Sequence, residues 1–462
     1  MVKIIVGNIH SILKTDNQEL KSILQKKYTY KIPGYQYTKQ ARRGWNGEKS
    51  FFSSKSGKFL TGLLYSIEAD LLYGGIPYEV EDLRKPLHLG DTALETLTLR
   101  PYQEDIVQRA LEEKRCIIKS PTGSGKTIIL AAILKALEGK TGLVFFTKKQ
   151  LLYQTYKFLT EHGFDVGVAF GDGVDLKPLT LCTVQSIDKV IDSHLDTSDF
   201  IIFDEVHEFS KGKVSTKVVK SFKNAYIRIG MTATVPSDKI SKLNIIGGLG
   251  KVIEEVDAEG LIRDGFLTEP LIHIIDLEDE GTVEDTECTY FEIYEKYIVE
   301  YEKRNGIICD LVKKIKKDVN NGRKILIIVK NLAHAETLHK MIPNSLKLEG
   351  KDSLAEREKE LKKFTSEGSQ VIIGTNIFQT GIDIPEITHL INARGLKSEI
   401  ATLQALGRAL RIHESKSQVH IYDFYDKVPY LHKHAKLRIR AYKSLKFKIQ
   451  IDETYKRRKK GT

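Results

Sequence analysis

The stretch that decides the fold is Ser120–Thr127, which reads Ser-Pro-Thr-Gly-Ser-Gly-Lys-Thr. An apolar run, Cys116–Ile118, precedes it and a helical pattern, Ile128–Leu137, follows it. This strand–loop–helix order is what a phosphate-binding loop requires, because the loop glycines turn backbone N–H groups toward the phosphates. Ser120 stands where the strict pattern has its first glycine. The predicted nucleotide contacts are Pro121, Thr122, Gly123, Ser124, Gly125, Lys126 and Thr127.

Two residues of this loop have predicted roles beyond backbone contact. Lys126 would neutralise the β- and γ-phosphates, and the Thr127 hydroxyl would ligate Mg²⁺. About 80 residues on, the apolar run Phe200–Phe203 leads into Asp204 and Glu205. Ligands bind at the carboxyl ends of strands in open α/β sheets, which predicts that Asp204 holds Mg²⁺ and that Glu205 deprotonates the attacking water. ATP and Mg²⁺ are therefore the expected cofactors.

From about residue 100, short apolar runs alternate with helical patterns, which predicts parallel sheets flanked by helices. An acidic stretch, Asp276–Gly281, separates two such units, and residues 1–90 lack the alternation. We therefore predict an α/β protein with a small α+β accessory domain at 1–90, nucleotide-binding-type domains at 91–275 and 276–450, and a basic tail at 451–462, of which the last ten residues are expected to be mobile. The predicted strands are Arg115–Lys119, Gly142–Thr147, Thr180–Val184, Phe200–Phe203, Tyr226–Gly230, Lys324–Lys330, Val371–Thr375, His389–Asn392 and Gln418–Phe424.

Composition excludes several classes of protein. A chain of 462 residues with 41% hydrophobic and 29% charged residues is typical of globular domains. No apolar run reaches the length of a membrane span, and the amino terminus lacks the core of a signal peptide. Four scattered cysteines form no C-x-x-C pair, which argues against a metal site or a disulfide framework. We expect a cytoplasmic protein, from a bacterium or a phage-infected host.

The net charge of +11 is concentrated at the two ends of the chain. Residues 1–60 hold 12 Lys or Arg against 3 Asp or Glu, and residues 431–462 hold 12 against 2. Basic ends on a mildly acidic body indicate segments that meet a polyanion, although charge alone is equally typical of solvated tails.

Further polar groups follow the predicted strands. Thr232 and Thr234 lie in a turn after a short strand, and Thr375 ends a strand of the second unit. Beyond it come the segment Thr380–Pro385 and a predicted helix. That helix places Gln404, Arg408 and Arg411 at i, i+4 and i+7, and so on one face. Two arginines supplied by a second domain are what an arginine finger needs.

In this order the motifs resemble those of superfamily 2 helicases over about residues 96–430. The resemblance implies two tandem RecA-like domains and assigns roles to individual residues. Gln103, in Arg-Pro-Tyr-Gln, would read adenine, His207 and Gln404 would join the domains across the nucleotide, and Arg408 and Arg411 would be arginine fingers. Gly381 and Asp383 would also contact the nucleotide, and Thr232, Thr234 and His207 would couple hydrolysis to strand movement. The implied nucleic-acid contacts are Lys148, Lys149, Thr183, Gln185, Ser186 and Thr375.

The acidic motif reads D-E-V-H, not the D-E-A-D of the large RNA-helicase group. Within the D-E-x-H members the chain resembles the phage UvsW-like branch-migration helicases. The stretch Arg42–Glu48, followed by Gly62–Leu64, is similar to the small amino-terminal DNA-binding domain of that group. Asp423-Phe424 and the later Leu431, Arg438 and Tyr442 are similar to its carboxyl-terminal end. Arg42, Arg43 and Trp45 are therefore predicted to bind DNA, with Trp45 either stacking on an unpaired base or serving as a core residue.

These expectations combine into a monomeric, ATP-dependent DNA motor that unwinds or branch-migrates forks, Holliday-type junctions or displacement loops in recombination, repair or replication. Three alternatives stay open: an RNA or RNA–DNA hybrid helicase, the motor subunit of a restriction system, and a nucleotide-gated DNA clamp. Degraded motors usually lose the groups equivalent to Glu205, Arg408 and Arg411 first, which argues against the clamp.

Overall fold

The computed structural model contains three main sheets, and the chain divides into two compact units. The first unit is Met1–Ser120 with Gly125–Glu255, and the second is Pro121–Ser124 with Val256–Thr462. The structure describes residues 1–171, 173–211, 221–254, 257–277, 285, 287–317, 323–348, 354–366, 370–375, 384–397, 407 and 409–452. The predicted basic tail from 453 onward therefore lies outside the described residues.

The amino-terminal part of the first unit forms its own four-stranded sheet. Its strands, in sheet order, are β5 (Lys58–Leu60), β2 (His10–Lys14), β1 (Val2–Val6) and β6 (Tyr78–Asp82). Strand β1 alternates buried and partly exposed residues, the pattern of a strand with one face on a core. A separate hairpin pairs β3 (Thr29–Lys31) with β4 (Glu48–Ser50), and two short 3₁₀ turns, Tyr35–Tyr37 and Ala41–Arg43, lie between its strands. The helices are α1 (Gln18–Lys27) and α2 (Leu64–Tyr73).

The second sheet of the first unit has eight strands in the order β10-β9-β11-β8-β12-β13-β7-β14. All neighbours are parallel except β9 and β10. Four adjacent strands of this sheet, β8, β12, β13 and β7, are buried along nearly their whole length, which explains their continuous apolar runs. The strands are β7 (Arg115–Lys119), β8 (Gly142–Phe146), β9 (Gly167–Phe170), β10 (Gly173–Asp175), β11 (Leu179–Thr183), β12 (Phe200–Phe203), β13 (Ile227–Thr232) and β14 (Lys251–Glu254). The helices are α3 (Pro101–Glu113), α4 (Lys126–Ala136), α5 (Lys149–Glu161), α6 (Ile187–His194) and α7 (Lys239–Leu249).

The amino-terminal sheet packs directly on helix α7, with glycines at the contact. A Cβ atom on Gly62 would overlap the carbonyl oxygen of Ile246, and one on Gly247 would lie 2.8 Å from Leu60 Cδ1. Lys49 Nζ also donates to Asn244 Oδ1 at 2.5 Å. Backbones can approach this closely only where side chains are missing, so the accessory domain and the first parallel sheet form one packed body.

The second unit is built on a seven-stranded, entirely parallel sheet in the order β17-β18-β16-β19-β20-β15-β21. Helix α10 (Glu302–Lys317) covers one face, where Ile308, Leu311 and Ile315 pack over Ile325 and Phe424. The strands are β15 (Glu269–Asp276), β16 (Lys324–Ile328), β17 (Ser345–Leu348), β18 (Val371–Gly374), β19 (Ile387–Asn392), β20 (Gln418–Tyr425) and β21 (Lys448–Asp452). The helices are α8 (Ala258–Arg263), α9 (Tyr290–Tyr294), α10 (Glu302–Lys317), α11 (Leu332–Met341), α12 (Leu354–Ser366) and α13 (Leu431–Ser444), with a π-helical turn at Glu295–Val299.

The predicted fold class, two tandem RecA-like sheets, is confirmed, but the boundary predicted at 275/276 is wrong. Strand β15 (Glu269–Asp276) pairs with β20 and β21 and so belongs to the seven-stranded sheet of the second unit. Sequence order misleads here, because this strand precedes the acidic stretch yet finds its partners about 150 residues later in the chain.

The carboxyl-terminal residues singled out in the sequence form a buried polar network. Arg438 donates to both carboxylate oxygens of Asp423 at 2.9–3.1 Å, and the hydroxyl of Tyr442 donates to the same carboxylate. Asn392 Nδ2 adds a further hydrogen bond at 3.2 Å. The network ties helix α13 to strands β19 and β20, so these residues stabilise the second domain.

Candidate nucleotide site and nucleic-acid contacts

The phosphate-loop candidates connect β7 to α4, as their pattern requires. Gly123 and Gly125 have φ values of +91° and +77°, and Gly125 is the N-cap of helix α4. A Cβ on Gly125 would overlap Nε2 of Gln103, so a side chain is excluded there by both conformation and space. The loop therefore has the left-handed turns and the helix amino terminus that bind phosphate groups.

Ser120, which departs from the strict pattern, connects this loop to a neighbouring strand. It is fully buried, and its N–H donates to the carbonyl oxygen of Thr232 at 3.0 Å. Its own carbonyl oxygen accepts from Lys126 Nζ at 3.2 Å. The serine thus serves as a backbone link between β7 and β13, a role that needs no positive φ.

Gln103 is buried against the loop, with its amide divided between two tasks. Its Oε1 accepts from the Arg100 N–H at 2.9 Å and caps helix α3, while Nε2 faces Gly125. Only 1% of its surface is exposed. We infer that Gln103 positions the phosphate loop, in addition to its predicted contact with adenine. The sequence pattern did not reveal this positioning role.

The two acidic candidates follow β12 at the carboxyl edge of the sheet. Glu205 takes a φ of +49°, which is rare outside glycine, and its N–H donates to Asp204 Oδ1 at 3.0 Å. Burial raises the pKa of Asp204 to about 7, and the neighbouring Glu205 carboxylate adds to the rise. Lys126 opposes the rise. Strained backbone and adjacent carboxylates are features that concentrate at functional sites.

A chain of polar contacts runs from Glu205 to the threonine motif. His207 Nδ1 lies 3.3 Å from Glu205 Oε2 and 2.9 Å from the hydroxyl oxygen of Thr232. Thr232 in turn donates to the carbonyl oxygen of Thr234 at 2.8 Å. The three predicted coupling residues, His207, Thr232 and Thr234, are thus brought together with the predicted catalytic base.

These residues fit a magnesium–nucleotide complex. Two adjacent carboxylates and one lysine leave negative charge at the strand end, which a divalent cation would offset. Thr127 and Asp204 have the oxygen donors that Mg²⁺ prefers, and the glycine-lined loop leaves room for phosphates. Among the described residues, no three His, Cys, Asp or Glu side chains cluster as a protein-only metal site.

In the second unit the structure describes one of the predicted catalytic side chains, Arg411. Its carbonyl oxygen accepts from the Thr268 hydroxyl at 3.2 Å, and burial lowers the pKa of its guanidinium. Gln404, Arg408, Gly381 and Asp383 lie outside the described residues.

The predicted nucleic-acid contacts of the two RecA-like domains differ in accessibility. Thr183 and Ser186 are buried, and their hydroxyl oxygens lie 2.9 Å apart, so they stabilise the turn after β11. Thr375 is also buried. Gln185 and Lys149 are exposed, whereas Lys148 pairs with Glu208 at 3.1 Å. Gln185 and Lys149 are therefore the better-placed candidates.

Trp45 lies outside the buried core of the accessory domain. It is half-buried, its Nε1 donates to the carbonyl oxygen of Glu48 at 3.1 Å, and its ring meets the Tyr35 ring edge-on at 6.2 Å. Arg42 and Arg43 are exposed nearby, and Tyr37 is 83% exposed. Residues 32–47, here named the hairpin loop, contain no Asp or Glu. Tyr35 and Tyr37 were not among the predicted DNA contacts, although they lie between the same two strands as Arg42.

Two family models match the chain: the type III restriction enzyme res subunit over residues 96–237, and the helicase conserved C-terminal domain over residues 303–413. With the two RecA-like sheets and the loop geometry above, these matches define the class. The two matches indicate a helicase of the superfamily 2 type, and similarity to such helicases implies ATP-dependent helicase or nucleoside-triphosphatase activity. No helix in the described part of the chain is both long and apolar enough to span a membrane.

Individual relatives agree with this class. The chain is 27% identical over 346 residues to the ATP-dependent DNA helicase UvsW of Enterobacteria phage T4, a match that covers 70% of this chain and 68% of that protein. It is 26% identical over 408 residues to the DNA 3'-5' translocase XPB2 of Sulfurisphaera tokodaii, which covers 77% and 91%. The predicted resemblance to UvsW is thus confirmed. Several other helicases are matched over only about half of their own length.

Among solved structures, a fragment of an HsdR-type subunit of a type I restriction enzyme from Vibrio vulnificus YJ016 superposes with a TM-score of 0.57. The match has 21% identity and covers 75% of this chain and 67% of that one. At this identity the likeness shows the fold alone.

Proposed function

We propose that the chain is an ATP-dependent DNA motor that unwinds or branch-migrates forks, Holliday-type junctions or displacement loops. The observation that carries the motor assignment is the polar chain Glu205–His207–Thr232, which is joined to the phosphate loop through the backbone of Ser120. A change at the hydrolytic centre would move the turn after β13 through hydrogen bonds, which is how hydrolysis is coupled to a second surface.

The proposed chemistry assigns one task to each side chain. Bound MgATP supplies the phosphoanhydride bond and the charge-neutralising cation. Lys126 binds the phosphate oxygens, while Thr127 and Asp204 hold the cation. Glu205 orients the attacking water and takes its proton, and His207 holds the Glu205 carboxylate in place. Gln404, Gly381, Asp383, Arg408 and Arg411 are proposed to complete the site from the second domain, with the two arginines neutralising charge in the transition state.

DNA is the proposed track because two relatives carry DNA in their names, UvsW as a DNA helicase and XPB2 as a DNA translocase. The hairpin loop supports contact with branched DNA, since Arg42 and Arg43 are exposed beside the half-buried Trp45. Exposed cations neutralise backbone phosphates, and an accessible ring stacks on an unpaired base. Lys149 and Gln185 are proposed to grip the strand on the first RecA-like domain.

The proposal is tested by measuring ATP hydrolysis with single-stranded, duplex, forked and four-way DNA, and with RNA of matched length. We expect the forked and four-way substrates to stimulate hydrolysis most. Equal or greater stimulation by RNA would instead assign an RNA track. DNA binding that is controlled by nucleotide without turnover would assign the clamp alternative. Light scattering of the complexes tests the expected monomer.

One alternative has an observation of its own. The match to a restriction-enzyme subunit over residues 96–237 favours the motor of a restriction system as a second candidate. A restriction motor needs a nuclease, supplied here by a partner chain. Supercoiled plasmid incubated with the protein and ATP should stay uncut under the proposed function, and its cleavage in complex with a co-purifying chain would support the alternative.

A further inference from the structure

Helix α13 presents a row of cations on its exposed face. Lys433, Lys436, Arg440 and Lys443 are all exposed, and their spacing of i, i+3, i+7 and i+10 places them on one side of the helix. The helix contains no Asp or Glu, and none of the four cations forms an ion pair with another described residue. We name these four residues the basic stripe.

The stripe is clearly separated from the helix's structural face. Leu431, Ala435 and Tyr442 are buried on the opposite side, and Arg438 is fully buried in its bond with Asp423. Helix α13 therefore uses one basic residue for folding and leaves four for solvent. A row of ten helical residues is about 15 Å long, which matches about four phosphates along one strand of a duplex.

An aromatic patch adjoins the start of the stripe. Phe291 is 75% exposed and Tyr430 is 41% exposed, and the Tyr290 ring lies 5.7 Å from the first and 6.1 Å from the second. Lys330, which follows strand β16, places Nζ 4.3 Å from the Tyr294 ring and 5.3 Å from Tyr290. One lysine and four aromatic rings thus lie together at the carboxyl edge of the seven-stranded sheet. The rings are those of Tyr290, Phe291, Tyr294 and Tyr430.

The backbone of the patch departs from regular helical geometry at two points. Tyr430 has a φ of +61°, a conformation that costs energy for any residue except glycine. Glu295–Val299, directly after helix α9, is a π-helical turn, a form that is frequent at functional sites. Phe291 and Tyr430 hold their rings at the surface, whereas Tyr294 and Tyr297 are buried in a hydrophobic cluster.

We propose that the basic stripe and the aromatic patch form a second polynucleotide-binding surface, on which phosphates follow helix α13 and an unpaired base stacks on Phe291 or Tyr430. Exposed rings next to a row of cations are the combination that binds single strands without sequence preference. This inference rests on the proposed function, since it assigns part of the track to the second domain. The charge of residues 431–462 indicated contact with a polyanion, but none of the individually predicted nucleic-acid contacts lies on this surface.

The test uses the full chain and fluorescence titrations of a labelled single-stranded oligothymidylate at several salt concentrations. Lys436→Ala/Arg440→Ala should lower the log–log salt slope by about 1.4 and weaken binding roughly tenfold at 0.1 M salt, because two phosphate contacts are lost. The matched control is Lys314→Ala/Lys317→Ala, which removes two exposed cations from helix α10. The salt slope of this control should differ from that of the wild type only by the change that follows from its lower net charge.

A second, independent pair of variants tests the rings. Phe291→Ala, and separately Tyr430→Asn, should weaken binding roughly fivefold or more with the salt slope unchanged, because a stacking surface is lost without charge. Residue 430 has a ψ of −49°, outside the left-handed helical region, so the melting temperature of Tyr430→Asn is measured to check that the turn is kept. The control is Tyr73→Ala, which removes a ring that is 97% exposed in the accessory domain.

The outcomes separate the two proposals. Stripe and ring variants that bind like their controls, while wild-type hydrolysis is still stimulated by DNA, overturn the second surface and leave the motor intact. A wild type that neither binds polynucleotide nor is stimulated by it overturns both. Charge-preserving Lys436→Arg/Arg440→Lys should restore the slope, and its failure to do so would also contradict phosphate contact.

Discussion

Asp204 and Asp423 are carboxylates toward the carboxyl ends of parallel strands, Asp204 in the eight-stranded sheet and Asp423 in the seven-stranded sheet. Their surroundings are opposite. Asp423 is satisfied by the protein itself, since Arg438, Tyr442 and Asn392 all donate to it. Asp204 sits beside another carboxylate, and its pKa is raised to about 7. A buried acid with its own cation stabilises the fold, whereas an acid left with a like charge is suited to bind a cation from outside.

The largest effect is expected at the nucleotide site, which contains Asp204. Lys126→Ala should reduce ATP turnover by roughly 10³-fold, because the charge that neutralises the phosphates is lost. Nucleic-acid binding should largely survive, since the proposed contacts are spread over both domains. Steady-state hydrolysis and a DNA titration of the same preparation measure both. If turnover stays above a tenth of the wild-type value, the phosphate-loop assignment is wrong.

For Asp423, the comparison predicts a loss of stability instead of a loss of turnover. Asp423→Asn should lower the free energy of unfolding by about 3–5 kcal/mol, because Arg438 is left as a buried charge without its carboxylate. Asp204→Asn is the matched control, and it should unfold at or above the wild-type temperature while losing hydrolysis. Thermal melts of both variants measure the difference. Equal destabilisation by the two substitutions would remove the distinction between them.

Trp45→Ala extends the comparison to the accessory domain. It tests whether the Trp45 ring serves DNA binding or the stability of the fold. Because Trp45 is half-buried and outside the core, the substitution should change the melting temperature little. Binding to forked DNA should weaken by about 1–3 kcal/mol with an unchanged salt slope, as expected for a lost stacking surface. A melting temperature lowered by several degrees, with all DNA substrates affected alike, would make the tryptophan structural.

The smallest effect concerns three stacked histidines on neighbouring strands of the seven-stranded sheet. His273, His389 and His420 lie on neighbouring strands, with ring centroids 5.0–5.3 Å apart between neighbours. Burial lowers the pKa of His273 to about 4 and that of His389 to about 3, with His420 contributing to both shifts. Lys314 and Arg323 also oppose protonation, while Asp452 favours it slightly at His273.

These imidazoles are neutral in the fold and titrate near 6.5 when unfolded, so the unfolded state binds more protons below that value. Stability should therefore be complete above about pH 6.5 and should fall as the pH drops toward 4 and then 3. Melting curves between pH 7.5 and 4 measure this slope. His420→Gln should flatten it, and an unchanged slope in that variant would contradict the stacked-histidine explanation.

Much of the fold was predictable because its central strands are continuous apolar runs. Strands β7 and β12 have the predicted bounds, and the others at the sheet centres differ by one or two residues. Strand β21 was missed because its residues, Lys448–Asp452, alternate and are largely exposed at a sheet edge. Edge strands carry little of the burial signal on which such predictions depend.

The contacts among the candidate site residues could not be predicted from local patterns. Those patterns predicted Lys126, Asp204 and Glu205 as site residues, because such chemistry depends on strand and loop ends, and their roles stay predictions. The contact between His207 and Thr232 joins residues 25 positions apart and depends on strands β12 and β13 pairing. The packing of Gly62 on Ile246 is longer-range still, and it indicates that deletion of residues 1–90 would uncover helix α7. Point variants therefore test the accessory domain better than its removal does.

The most direct test of the motor assignment is steady-state ATP hydrolysis by wild type and Glu205→Gln, each with and without forked DNA. The substitution keeps the size of the side chain and removes the base, so nucleotide and DNA binding should be retained. We expect the wild type to be stimulated by the fork and the variant to lose roughly 10²- to 10⁴-fold in turnover, as for the loss of a general base. Hydrolysis that ignores DNA in the wild type, or that survives in Glu205→Gln, would contradict the assignment.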